Sequence, residues 1–212
     1  MKLYVYDHCP FCAKARMIFG LKSLPLELRF LLEDDVDTPT EMVGRKTAPI
    51  LEKPDGSHMA ESMEIVHYVD GHQGETVVTP TGENSPIRVW QESAWRPILE
   101  LSIPRLAEAN FPEFATPEAR ADFKTRQEQN FGDFDELIGR TSELMPGVER
   151  QLAELDGVLA GREHVDADDF ALYPSLRMLS IVKDVMYPAN VRRYMERLEQ
   201  TTGVGLHFDK AR

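Results

Sequence analysis

The first stretch of the chain allows few arrangements, because strand-like and helix-like segments alternate there in an order that limits how they can connect. Leu3 to Tyr6 is a short apolar run of strand-forming residues, and Pro10 to about Leu21 follows with helical spacing. Leu26 to Leu32 reads as a second strand. Thr38-Pro39-Thr40-Glu41 then carries the marks of a helix start: an N-cap, a proline at the first helical position and a capping-box glutamate, with Gly44 near the helix end. Pro49 to Glu52 and Ser57 to Ala60 flank the turn Pro54-Asp55-Gly56 and read as two antiparallel strands. Residues 62–70 return to helical spacing through Met63, Val66 and Val69. The order is β-α-β-α-β-β-α, with the first two strands parallel through a crossover helix and the last two antiparallel.

From Gly71 to Ser85, Gly, Pro, Thr and Asn crowd together without a period, which marks a linker. The expected division is a first domain at 1–72, a linker at 73–84 and an all-helical second domain at 85–212. Ser85-Pro86 and Thr116-Pro117-Glu118 are helix starts of the cap-then-proline kind, and Pro97 and Pro104 are expected to kink or divide the helix that holds them. Val148, Leu152, Leu155 and Leu159 recur at helical spacing before Gly161, as do Val191, Met195 and Leu198 before Gly203. Asp166 and Asp169 form a polar box flanked by Val165 and Phe170, so a buried central helix carrying Phe170, Leu172, Leu176 and Leu179 is expected to begin there.

A chain of 212 residues with 42% hydrophobic and 28% charged residues can bury a real core and is not of the disordered class. Its net charge of -12 repels a phosphate backbone, so nucleic acid is not an expected partner. No apolar run is long enough to read as a membrane span or a secretory leader, and a cytoplasmic protein without a membrane partner is expected.

Only two cysteines occur, Cys9 and Cys12, at the junction of the first strand and first helix. Cys9 falls at the N-cap and Pro10 at the first helical position, where its missing N–H costs nothing. The free amides of Phe11 and Cys12 and the positive helix end favour a thiolate, so Cys9 reads as an exposed nucleophile of lowered pKa. Cys12, one turn further in, reads as the buried resolving thiol. The pair as half of a zinc site lacks a second set of ligands among His8, His58, His67, His72, His164 and His207, so no metal is expected. A coincidental buried pair is the remaining alternative.

Asp7-His8-Cys9-Pro10-Phe11-Cys12 resembles the active-site segment of glutaredoxins, with Phe11 in place of the usual tyrosine. Ala15-Arg16-Met17-Ile18-Phe19-Gly20-Leu21-Lys22 and Glu61-Ser62-Met63-Glu64-Ile65-Val66-His67-Tyr68-Val69-Asp70 extend the likeness to the two-domain bacterial glutaredoxins. The resemblance implies an α/β thioredoxin-like N-terminal domain and an all-α C-terminal domain, in the architecture of glutathione S-transferases. It implies a glutathione-dependent thiol-disulfide oxidoreductase that reduces disulfides and protein-glutathione mixed disulfides through the Cys9 thiolate, with Cys12 resolving. Glutathione would be the electron donor, glutathionylated or disulfide-containing proteins the partners, and the monomer the working form.

The same resemblance implies a glutathione site. Phe11 would pack on the glutathionyl group, Ala48 before a cis Pro49 would pair its backbone with the cysteinyl part, and Glu61 and Ser62 would hold the γ-glutamyl end. Ser62 also reads as an ordinary helix cap, and Pro49 as a trans proline opening an edge strand. Lys14, Arg16, Lys22, Arg45 and Lys46 are candidates for the glycine carboxylate, with Lys14 and Arg16 nearest the thiolate side. His8 reads either as a residue tuning the thiolate or as an exposed loop histidine. Trp90, Trp95 and Tyr173 read as core. Two other functions stay open: conjugation of glutathione to electrophiles, for which Cys12 has no use, and a non-enzymatic glutathione-binding module.

Overall fold

The structure is a computed structural model describing residues 1–212. Four strands, β1 (Lys2–Val5), β2 (Glu27–Phe30), β3 (Ile50–Glu52) and β4 (His58–Met59), form one sheet in the order β2-β1-β3-β4. β1 runs parallel to β2 with Leu3 opposite Leu28, and antiparallel to β3 with Leu3 opposite Leu51. β3 and β4 form the expected antiparallel pair. Interleaved with them are α1 (Pro10–Leu21), α2 (Asp37–Val43) and α3 (Ser62–His72). Leu3 and Val5 alternate inward on β1, while the buried residues of α1 lie all around it, from Cys12 and Ala13 to Ile18 and Phe19.

That all-round burial follows from the position of α1, which packs on α3 within the first half and on α8 and α9 of the second. The second half holds α4 (Pro86–Glu108), α5 (Pro117–Phe131), α6 (Phe134–Gly139), α7 (Thr141–Val158), α8 (Asp169–Leu179) and α9 (Ala189–Thr202). One-turn 3-10 segments lie at Pro112–Phe114 and Phe208–Lys210. A cluster of 46 buried apolar residues runs without a break through both halves, so neither has a core closed on itself. This is a glutathione S-transferase-like fold: a thioredoxin-like half followed by a helical one.

The stretch between α3 and α4 has neither helix nor strand, yet it is tied down. The Asp70 carboxylate accepts from the amides of Val77 (2.8 Å) and Val78 (3.1 Å), and Lys22 Nζ donates to the Asp70 and Glu75 carbonyls. Across the junction, Thr81 and Ser85 donate their hydroxyls to the buried Asp168 carboxylate.

Most helix starts form as the sequence predicts. Ser85 Oγ accepts from the Arg88 amide and Thr116 Oγ1 from the Ala119 amide, both at 3.1 Å. The Asp166–Asp169 box forms only in half: the Asp166 amide donates to Asp169 Oδ2 at 2.7 Å, but Asp166 Oδ1 accepts the Asp168 amide, and α8 begins at Asp169 and not at Asp166, with Phe170, Leu172, Leu176 and Leu179 buried on it as expected. Two further expectations are corrected. Thr38 is not the N-cap of α2: the helix begins one residue earlier, and Asp35 Oδ1 accepts the Thr38 amide at 3.0 Å, the better acceptor being the carboxylate already upstream. Pro97 and Pro104 do not divide α4, which runs through both, because Ile98, Leu101 and Leu106 are buried against α7 and α8 and outweigh the lost helical bonds.

Candidate active site

Leaving β1, the chain turns through Tyr6, Asp7 and His8 and enters α1 with Cys9 at the N-cap (φ -72°, ψ 126°) and Pro10 at the first helical position. The Cys12 amide donates to Cys9 Sγ at 3.5 Å, and the Tyr6 amide donates to Cys12 Sγ at 3.4 Å. Both cysteines are thiols, without a disulfide between them. Cys12 is wholly buried. Cys9 is also mostly covered, with 9% of its surface exposed, which corrects the expectation of an exposed thiol: packing from the second half closes over the helix start.

The two sulfurs are electrostatically unlike. The neighbouring Cys12 thiol favours the Cys9 thiolate most, followed by His8 beside it and the amides of Cys12 and Phe11; against the cost of burial, these bring the Cys9 pKa down to about 7. Burial, together with the bond to Cys9 and the charge there, pushes Cys12 well above an ordinary thiol. The helix-start amides were legible in the sequence; the largest contribution, the neighbouring thiol, was not.

His8 is buried, so the exposed-loop reading is corrected. Its backbone amide donates to Glu113 Oε1 at 2.8 Å and its Nδ1 lies 2.6 Å from the same oxygen, while Nε2 faces Glu33 Oε1 at 3.6 Å. The ring stacks on Phe114 (5.1 Å between centroids) and meets the edge of Phe123 (4.8 Å). Neither glutamate stands out in the sequence, since the partner pair is separated by 105 positions.

Cys9 opens into a cavity of about 320 Å³ between the halves. Tyr6, His8, Pro10, Phe11, Glu33 and Ala48 line it from the first half. Trp95, Leu99, Ile103, Leu106, Phe123, Gln127, Phe131 and Met178 line it from the second. Trp95 is therefore a cavity residue and not core, a correction; Trp90, on another face of α4, is buried with its indole N–H on the Gln151 carbonyl, and Tyr173 is buried as expected. Phe11 is half exposed on the rim, and a second cavity of about 340 Å³ lies along it, bordered by Lys14, Arg88, Gln91 and Trp95.

The Ala48–Pro49 peptide is cis, and Ala48 lies on the cavity wall that Cys9 shares. Glu61 and Ser62 sit apart, at the start of α3, outside that lining. Glu61 is the cap residue, in an unusual left-handed conformation for a side-chain-bearing residue (φ 69°, ψ 112°), and its exposed carboxylate pairs with Arg45. Ser62 is the first helical residue and no side chain caps α3, so the cap reading of Ser62 is corrected.

Of the five basic candidates, four are engaged by carboxylates: Arg16 with Asp7, Lys22 with Asp70, Arg45 with Glu61 and Lys46 with Asp122. Arg16 belongs to a structural cluster in which Asp7 also holds the buried Arg177. Lys14 has no carboxylate partner; its Nζ lies 5.2 Å from the Phe11 ring centre, and burial lowers its pKa.

Residues 86–211 match the family model described as glutaredoxin 2, C terminal domain, and residues 3–77 match the glutathione S-transferase N-terminal domain. Glutaredoxin 2 of Escherichia coli (strain K12) is 42% identical over 211 residues, covering 97% of each chain. The crystal structure of Salmonella typhimurium glutaredoxin 2 in complex with glutathione matches with a TM-score of 0.96 at 39% identity, covering 100% of this chain and 98% of that one. A glutathione transferase of Phanerochaete chrysosporium, 16% identical with a TM-score of 0.72 over 94% of this chain and 96% of its own, shares the fold.

Proposed function

Because the chain belongs to the glutaredoxin 2 family and is a glutathione-dependent thiol-disulfide oxidoreductase, we propose that Cys9 is its attacking thiolate and Cys12 its resolving thiol. The observation that carries the assignment is the asymmetry of the pair. Cys9, brought to about 7, is substantially ionised at neutral pH, whereas Cys12 is sealed and held protonated. A nucleophile whose pKa lies near the ambient pH is the most effective one in disulfide exchange.

In the monothiol route the Cys9 thiolate attacks the glutathione sulfur of a mixed disulfide. The Cys9–glutathione bond forms, the old disulfide breaks, and the partner protein leaves as its thiolate. A glutathione thiolate then attacks the glutathionyl sulfur on Cys9, releasing oxidised glutathione and restoring the Cys9 thiolate. In the dithiol route Cys9 first joins a substrate sulfur. Cys12, on losing its proton, attacks Cys9 and expels the substrate thiolate, and two glutathione molecules reduce the resulting Cys9–Cys12 disulfide.

For glutathione itself, Phe11 offers an aromatic face beside the sulfur, and Ala48 before Pro49 offers extended backbone to the cysteinyl unit. Ser62 with the free amides of α3 suits the γ-glutamyl carboxylate, and Glu61 its ammonium. The unusual backbone of Glu61 and its exchangeable pairing with Arg45 support that role. Lys14 suits a remaining carboxylate. The partners proposed are glutathionylated and disulfide-containing proteins, the working form a monomer, and the place of work the cytoplasm, where glutathione is kept reduced. No helix is long and apolar enough to cross a membrane. The domain division proposed is 1–72 and 85–212, with 73–84 as the linker.

Mass spectrometry after treatment with oxidised glutathione tests the roles. Cys12→Ser should carry one stable glutathione on Cys9 and still reduce a glutathionylated peptide, while Cys9→Ser should do neither. An adduct confined to Cys12 would overturn the assignment, and turnover of an aryl halide without disulfide reduction would favour the conjugating alternative.

A further inference from the structure

We infer that Glu113, from the helical half, is a positioning residue for the Cys9 chemistry: it holds His8 as an imidazolium beside the thiol, so that docking of the two halves sets thiol reactivity. The inference rests on Cys9 being the attacking thiol.

Glu113 sits in the one-turn segment between α4 and α5, and its carboxylate is wholly buried. Oε1 takes both the backbone amide and Nδ1 of His8, and its own carbonyl accepts the Glu33 amide at 3.1 Å, which clamps the two halves together at the backbone. Oε2 has no partner. A buried carboxylate with no other counter-ion in hydrogen-bond reach requires the charge of His8. The opposite ring nitrogen faces Glu33, whose carboxylate is paired with Arg126. Glu33 Oε1 lies 3.6 Å from Nε2, beyond a hydrogen bond, but it places a second carboxylate beside the ring, which favours the doubly protonated imidazolium over a neutral ring that donates to Glu113 alone.

Phe111, Phe114 and Phe123 pack around the ring and leave His8 only 6% exposed, so its charge is weakly screened where it adjoins Cys9. The other titratable groups around it are Tyr6 on the preceding turn, Cys9 and Cys12 of α1, and Arg126 of α5 behind Glu33. Lys46 also faces Glu33, and His207 lies beyond Phe111. Burial works against a charged His8, but the Glu113 bond and the charges of Glu113 and Glu33 outweigh it and raise its pKa. Burial likewise opposes a charged Glu113, and His8 outweighs it there. His207 is driven the other way, first by burial, and stays neutral.

Glu113→Gln keeps the shape and the acceptor oxygen but removes the charge. Alkylation of Cys9 by iodoacetamide across pH, read on the Cys9 peptide of the full-length protein, should show its midpoint rise by about one pH unit. A folded Glu113→Gln protein with an unchanged or lowered midpoint overturns the inference. Should that variant fail to fold, long-range proton–nitrogen NMR of the wild-type protein decides: imidazolium shifts at His8 at pH 7 are expected, and a neutral ring there overturns it. Alkylation needs neither glutathione nor substrate. A wild-type protein that fails to reduce glutathionylated peptide would therefore defeat the proposed function while leaving the coupling measurable, and an active one with an unshifted variant would defeat the coupling alone.

Discussion

At the scale of single residues, the pair of sulfurs works because each changes the other. Cys12 is the first influence on Cys9, ahead of His8 and the helix amides, so the resolving thiol also prepares the attacking one before it ever resolves anything. Cys12→Ala should therefore raise the midpoint of Cys9 alkylation by about one pH unit, and Cys12→Ser, which keeps a donor, by less. Equal midpoints in both variants and the wild type would show that the helix end and His8 act alone. This part of the site was legible in the sequence because capping is local: Cys9, Pro10 and Cys12 fix each other's geometry within one turn. His8 was ambiguous for the opposite reason. Nothing within ten residues of it distinguishes a loop histidine from one clamped between Glu33 and Glu113, and Trp95 could not be told from core until α4 was packed.

At the scale of elements, the tightest glycine in the molecule fixes where α1 lies. A Cβ added at Gly20 would fall 1.9 Å from the carbonyl oxygen of Thr202, the last residue of α9, so the helix carrying the cysteines is seated backbone to backbone on the end of the second half. Gly20→Ala should destabilise the protein by about 3 kcal/mol or more in urea unfolding, because the obstruction is backbone and cannot rotate away. Gly157→Ala on the exposed face of α7, with nothing near the added methyl, should instead be neutral or stabilising by up to about 1 kcal/mol. Loss of comparable size at both positions would mean that Gly20 reports helix propensity and not contact. Periodicity and cap-then-proline signals located these helices in the sequence, since both are properties of one segment. The continuity of α4 through two prolines and the seating of Gly20 depend on partners far along the chain, which is why neither could be read there.

At the scale of the whole molecule, the charged groups buried near the junction of the halves link stability to pH in opposing directions. Burial pushes Asp7 up, but Arg177 and Arg16 outweigh it, and His8 does the same for Glu113; both carboxyls are lowered in the folded protein. Their contribution is present above the unfolded values and is lost as the pH falls through the folded ones, giving an acid limb. Glu33, raised chiefly by burial, works against that limb. His8 is raised above 6.5, so its contribution is complete below that value and is lost as the pH rises through the folded pKa. Cys9 has the reverse sign. Lowered from 9.0 to about 7, it adds stability as the pH climbs between those values. The thiolate thus offsets what His8 gives up, and it also helps His8 keep its proton. In Cys9→Ser that offset is gone. Its urea midpoint, measured under reducing conditions, should match the wild type near pH 6 and fall away from it progressively between pH 7 and 9, while the acid limbs of the two proteins coincide. Parallel profiles across the alkaline range would mean that the Cys9 thiol is not lowered in the folded protein.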